Sequence, residues 1–362
     1  MARSSHPRSV PSDPWRGFVA GFLLAALLLG AAAIAVVAVL DPYGLRAAPG
    51  RAPGPLMDAN QRFLYPQIAR GGAFDAAVFG TSTARLIDPD ALDRAFGLRF
   101  ANLAVNAATP FEQTAMARLF LREAARAGGA RGALFALDST WCEPDADRRR
   151  ATARPFPAWL YEEAAPFAVL RQVNWQSLAI AGRVLLHRLG RLPERIRGDG
   201  YAVFTPPESH YDAARASRHI HSGGSPLEEA VSEAPVEGRE ESADPAMPAL
   251  DWLDGLLARM PASALRLVAF MPVHAAAQGT AGTERGRREA ACKARVAEIG
   301  RARGATVVDF RIPSPVTTRD ENYWDALHYR LPVAGRIVTG LAAARASGHD
   351  DADGFYRVLT RP

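Results

Sequence analysis

At 362 residues, with 48% hydrophobic and 22% charged side chains, the chain has the make-up of a packed globular protein, which excludes a disordered or fibrous one. Its formal charge of +5 rests almost wholly on arginine, with Lys293 the single lysine, and acidic residues are interleaved throughout, so no basic stripe points to nucleic acid. Two cysteines, Cys142 and Cys292, are too few for a disulfide framework and read either as one bridge in an oxidising compartment or as two separate thiols.

From Gly17 to Leu40 there is no charged residue and scarcely a polar one. As a helix this stretch exceeds the ~30 Å hydrocarbon core of a bilayer. Arg3, Arg8 and Arg16 before it also suit a signal peptide. The apolar run, however, is longer than the about 7–15 residues of a signal core and ends in Val-Leu-Asp-Pro, which favours a retained anchor. Three arginines ahead of the span, against Arg46 and Arg51 behind it, point the N-terminus inward. The expected layout is a cytoplasmic segment 1–16, a single-pass anchor 17–40 in the inner (plasma) membrane, and a Pro/Gly-rich linker 41–60. A periplasmic, extracytoplasmic domain then fills 61–362.

Within that domain, Phe74 to Phe79 is a short apolar run ending at Gly80, a buried strand. Asp88-Pro89, then Ala91, Leu92 and Phe96, then Gly97, has the cap, first-turn proline and stop of a helix. Leu98 to Leu103 reads as a second strand. Thr109-Pro110-Phe111-Glu112 is a capping box opening a helix to about Ala127. Ala133 to Leu137, Leu265 to Phe270 and Thr306 to Phe310 read as three more strands, Glu284 to Arg303 as a helix, and Val333 to Ala346 as a closing helix. Short apolar strands alternating with helices predict an α/β fold with a parallel sheet covered on both faces, its chemistry gathered at the carboxyl ends of the strands. An insertion over 143–249 interrupts the pattern after the third strand. Phe156 to Leu192 reads as mostly helical and Gly198 to Pro248 as loop or disorder, and the insertion serves either as a lid or partner-binding element over the site or as surface elaboration.

Two pieces of this edge can do chemistry. Gly80-Thr81-Ser82 directly follows the first strand, so the Ser82 hydroxyl sits on a tight turn where its own N–H can face an oxyanion; an ordinary turn serine is the alternative. Asp325-Ala326-Leu327-His328 lies between the fifth strand and the last helix. Of eight histidines only His328 has an aspartate three positions earlier, suited to orienting a base for serine. The alternative is a half-buried loop histidine beside Tyr323, Trp324 and Tyr329. His274, at the end of the fourth strand, is a candidate for lining the pocket. His210, His219 and His221 lack a matching carboxylate or cysteine pattern, so no metal and no cofactor are expected.

The Gly-x-Ser turn after the first strand and Asp-x-x-His before the last helix resemble the SGNH (GDSL-type) hydrolase superfamily over about residues 75–343, outside the 143–249 insertion. Asp309-Phe310 and Tyr323-Trp324-Asp325-Ala326-Leu327-His328-Tyr329 are similar to the end of several membrane-anchored members. The resemblance implies a flavodoxin-like three-layer sandwich with a five-stranded parallel sheet. It also implies Ser82 as nucleophile, His328 as base and Asp325 as the residue that orients it. Ala107 falls where the family supplies a glycine N–H to the oxyanion hole, and alanine keeps that donor. Asp138 falls where an asparagine side chain donates, and an ionised carboxylate donates nothing. Thr81 replaces the acidic residue of the commonest first block. The implied activity is that of a membrane-anchored serine esterase or O-acyltransferase acting on a cell-envelope, polysaccharide-borne acyl ester. The alternative is an inactive scaffold or glycan-binding protein in envelope assembly. Partners are therefore the membrane, an acylated glycan or small ester, and envelope-assembly proteins.

Overall fold

The computed structural model describes residues 14–46, 50, 52–150, 152–162, 171–172, 174–222 and 246–361. Arg3, Arg8 and Arg51, and stretches 163–170 and 223–245 of the predicted insertion, lie outside the described residues. Among the described residues the helices are α1 (Pro14–Leu40), α2 (Gln61–Gly71), α3 (Pro89–Phe96), α4 (Pro110–Arg126), α5 (Trp175–Arg188), α6 (Ala213–His221), α7 (Ala249–Ala258), α8 (Glu284–Arg303) and α9 (Leu331–Ser347). The strands are β1 (Ala76–Phe79), β2 (Phe100–Asn102), β3 (Gly132–Leu137), β4 (Leu265–Phe270), β5 (Thr306–Asp309) and β6 (Arg357–Thr360). The chain divides into two compact units, residues 1–42 with 164–192, and residues 43–163 with 193–362.

In the first unit, α1 runs ~40 Å at 1.5 Å per residue, with a mean hydropathy of 2.9 over its apolar stretch, long and apolar enough to cross a membrane. Most of its leucines are exposed, which a soluble core helix would not tolerate. Helix α5 packs on it through Ser177, Ile180, Ala181 and Val184, the one buried stripe its sequence offers.

The second unit carries a six-stranded sheet in the order β2-β1-β3-β4-β5-β6. The first five strands are parallel, as the alternating pattern predicts, and β6 pairs antiparallel to β5. The expected count of five is thus corrected to six. Arg357–Thr360 is too short and too polar at its start to announce a strand, and it forms because Gly300 lets α8 close on it. A Cβ there would meet the Val307 side chain at 2.4 Å and Thr360 at 3.0 Å. The inner strands β1 and β3 are buried along their whole length, the burial a near-continuous apolar strand requires. Phe79 packs on Phe120 of α4 and on Phe135 of β3, with ring centroids 5.8 and 5.4 Å apart, and each such burial is worth about 1.5–3 kcal/mol.

The helix ends follow the local chemistry. Asp88 caps α3 by accepting from the Asp90 N–H, and Gly97 stops it at φ 67°. Thr109 and Glu112 complete both bonds of the capping box on α4. The expected linker 41–60 is corrected in part, because Tyr43, Leu56 and Met57 are fully buried in the second unit and α2 follows at once. Helix α2 is absent from the predicted elements since Pro66 lies inside it. The expected helical run Phe156–Leu192 is, among the described residues, one short 3-10 turn (Ala158–Leu160) and α5.

Candidate active site

At the carboxyl edge of the sheet, the turn after β1 is forced by contact with β3. A Cβ on Gly80 would stand 2.9 Å from the Ala136 carbonyl, so only glycine passes. The chain then enters a 3-10 turn, Ser82–Ala84, with Ser82 at its head, 7% exposed.

The other half is a closed loop. Tyr323 and Tyr329 form an isolated antiparallel bridge, and the Trp324 N–H donates to the His328 carbonyl at 2.8 Å. Inside it, Asp325 Oδ1 accepts from the N–H groups of Leu327 and His328, both at 2.8 Å. Its Oδ2 lies 2.7 Å from His328 Nδ1. Burial alone would lift the Asp325 carboxyl, but the hydrogen bond and charge of His328, with the two backbone donors, hold it below the usual carboxylate range. An ionised Asp325 keeps the ring proton on Nδ1 and leaves Nε2 as an acceptor. The Ser82 hydroxyl meets that Nε2 at 2.9 Å. The buried Tyr329 phenol donates to the Thr83 carbonyl and so ties the two halves together. Ser82, His328 and Asp325 are thus brought into one hydrogen-bonded line.

Ala107 has φ 50°, the left-handed region that a glycine adopts freely, at a cost of about 1–2 kcal/mol for an alanine. Its N–H has no acceptor among the described residues, while its carbonyl and that of Asn106 accept from Arg62 at 3.2 and 3.0 Å. Arg62 is itself buried and held by Glu112 through bonds of 2.8 and 2.6 Å. The Arg85 guanidinium also reaches this loop, 3.1 Å from Asn106 Oδ1.

Asp138 follows β3 and turns its Oδ1 to the N–H of Thr140 at 2.9 Å and to the Thr140 hydroxyl. Burial pushes this carboxyl above its ordinary range, and the hydrogen bonds from Thr140 do not bring it back. His274 does not join the Ser82 line. Its Nε2 lies 3.2 Å from Asp320, its ring meets His221 edge-on at 5.5 Å, and its N–H donates to the Ala326 carbonyl at 2.9 Å, so it braces the Asp325–His328 loop from behind. Burial pushes its imidazole down, against the pull of Asp320.

The insertion contributes a wall. Segment 196–204 crosses the edge, with the Asn102 N–H donating to Asp199 and Tyr65 to the Gly200 carbonyl. It delivers Phe204, whose ring stands edge-on to His328 at 5.5 Å and under Arg85 at 4.9 Å. Arg197 draws Asp88, Asp90 and Asp199 around its guanidinium at 2.5 to 3.1 Å, filling the space among these three carboxylates. Farther along, Tyr211 packs on Trp324 at 5.3 Å and Glu208 pairs with Arg330. Arg62, Arg85 and Phe204 have no motif to mark them. The aromatics Tyr201, Phe204 and Tyr211 in a polar segment are the one signal that this stretch packs on something.

No protein-family model, no curated protein and no solved structure matches the chain.

Proposed function

We propose that the chain is an SGNH-type serine esterase or O-acyltransferase, anchored by α1 in the inner membrane with its sheet-bearing unit on the extracytoplasmic side. It acts on an acyl ester of a cell-envelope polysaccharide or a smaller ester of that kind. The observation that carries this reading is the Ser82–His328–Asp325 line, with separations of 2.9 and 2.7 Å, at the carboxyl edge of a mainly parallel sheet. The order of the five parallel strands, β2-β1-β3-β4-β5, is that of a flavodoxin-like sheet, the architecture such hydrolases share by resemblance. A disulfide between Cys142 and Cys292 fits an oxidising compartment.

In the proposed reaction the Ser82 hydroxyl passes its proton to His328 Nε2 as Oγ bonds to the acyl carbon. The imidazolium is stabilised by Asp325 and returns the proton to the departing alcohol oxygen as the ester bond breaks, leaving an acyl group on Ser82. Water or a sugar hydroxyl then attacks that acyl carbon, giving its proton to His328 and restoring the serine. Backbone N–H groups of Ser82 and Ala107 are the donors for the transient oxyanion. Phe204 screens one side of His328 from water, which strengthens these charged interactions.

The second reading, an inactive scaffold or glycan-binding module, draws on Asp138 standing in place of an amide donor. A fluorophosphonate probe separates the two. The wild-type protein is expected to be labelled and Ser82→Ala to stay unlabelled. A folded wild-type protein that takes no label would overturn the hydrolase reading.

A further inference from the structure

Helix α5 has two apolar faces where a helix at a water-exposed surface has one. At about 3.6 residues per turn, Ser177, Ile180, Ala181 and Val184 fall on the side packed on α1. Trp175, Leu185, Leu186 and Leu189 fall on the other side and stay open, Trp175 at 81% and Leu189 at 60% exposure. Gln176, Arg183 and His187 form only a narrow polar edge between the two. The last turn of α5 lies at the C-terminal end of α1, where the Arg188 guanidinium donates to the Leu40 carbonyl at 3.4 Å and so meets the negative pole of that helix. In this half of α1, Gly30, Ala33, Val37 and Leu40 are sheltered along one face, while Val36 and Val39 are exposed. Both helices therefore present open apolar surface at the same end of their unit. The charge is one-sided too, because residues 171–192 carry Arg171, Arg183, Arg188 and Arg191 and not one acidic residue.

Resting on the reading of α1 as a membrane anchor, we propose that α5 is a second membrane-binding element, seated in the extracytoplasmic leaflet beside α1. Trp175, Leu185, Leu186 and Leu189 enter among the lipid chains, and Arg183, Arg188 and Arg191 lie at the phosphate level of anionic phospholipids. A helix with tryptophan and leucine on one face and arginine along its polar edge holds such an interface by apolar burial together with attraction to negative headgroups. The indole of Trp175 suits this boundary, with an apolar ring for the chains and an N–H for the headgroups. A second copy of this chain is the poorer occupant. A two-fold contact through this face sets the same surface against itself and brings arginines together, with no carboxylate in residues 171–192 to answer them. Anionic lipid supplies the apolar chains and the opposite charge at once.

The test uses the full-length protein reconstituted in vesicles of phosphatidylcholine with phosphatidylglycerol, with and without bromine placed high on the acyl chains to quench tryptophan emission. Wild type minus Trp175→Phe isolates the emission of Trp175, and wild type minus Trp15→Phe isolates that of Trp15, the one tryptophan of α1. Trp175 is expected to emit to the blue of an indole in water and to be quenched by the brominated lipid, more strongly with phosphatidylglycerol than in phosphatidylcholine alone. The variant Leu185→Glu/Leu189→Glu, with folding checked by circular dichroism, is expected to lose the quenching of Trp175 and to keep that of Trp15. If Trp15 is quenched and Trp175 is not, the role of α5 falls and the anchor stands. If neither is quenched, the anchor reading falls and this proposal with it. Quenching of Trp175 that is the same without phosphatidylglycerol overturns the choice of an anionic headgroup. An unquenched Trp175 in a protein that runs as a dimer in detergent, and that Leu185→Glu/Leu189→Glu splits, gives the face to a second copy and overturns the proposal.

Discussion

The Asp325 carboxylate is held by three donors within one tight loop, and this has an acid-side consequence. Its folded pKa lies below the unfolded value of about 3.9, so the stability it contributes is fully present above that value and is lost as pH falls through the folded pKa. Asp325→Asn is expected to flatten that part of the acid denaturation curve, measured as thermal midpoint between about pH 5 and pH 2. In the proposed reaction the same substitution removes the carboxylate that keeps the His328 proton on Nδ1, and turnover is expected to drop about 10⁴-fold at neutral pH. Ser82, Asp325 and His328 are legible in the sequence because a strand-end Gly-x-Ser and an Asp-x-x-His are local patterns with local causes. Arg62 and Phe204 are not. Each matters through a partner 44 to 124 positions away, and nothing near them in the chain announces that partner.

At the scale of elements, what could be read ahead was what short-range chemistry decides. The bounds of α3 and α4 follow from Asp88, Gly97 and the Thr109–Glu112 box, each an interaction spanning a few residues. Strand β6 and helix α2 escaped because their existence depends on tertiary contact, the close approach at Gly300 for one and packing on α4 around an interior proline for the other. The pairing of Cys142 with Cys292 was open for the same reason: 150 residues separate them, and only the fold sets their Cα atoms 5.5 Å apart. That bridge fastens the turn after β3 to α8. Replacing both cysteines by serine is expected to cost about 2–4 kcal/mol in urea unfolding of the sheet-bearing unit. Dithiothreitol is expected to produce a similar loss in wild type and none in the double variant.

At the scale of the whole molecule, α1 makes the chain a membrane protein in the proposed reading, and the consequence is a matter of extraction. The full-length protein is expected to remain in the membrane pellet after alkaline carbonate washing, and to leave it only with detergent. Release by carbonate would argue against a spanning helix. In the proposed reading, the Ser82 hydroxyl and the His328 imidazole that takes its proton stand 246 positions apart in the sequence. A polypeptide exported behind its anchor would bring that hydroxyl across long before the imidazole, so the proposed reactivity would begin only after the stretch carrying His328 has emerged and the sheet has closed.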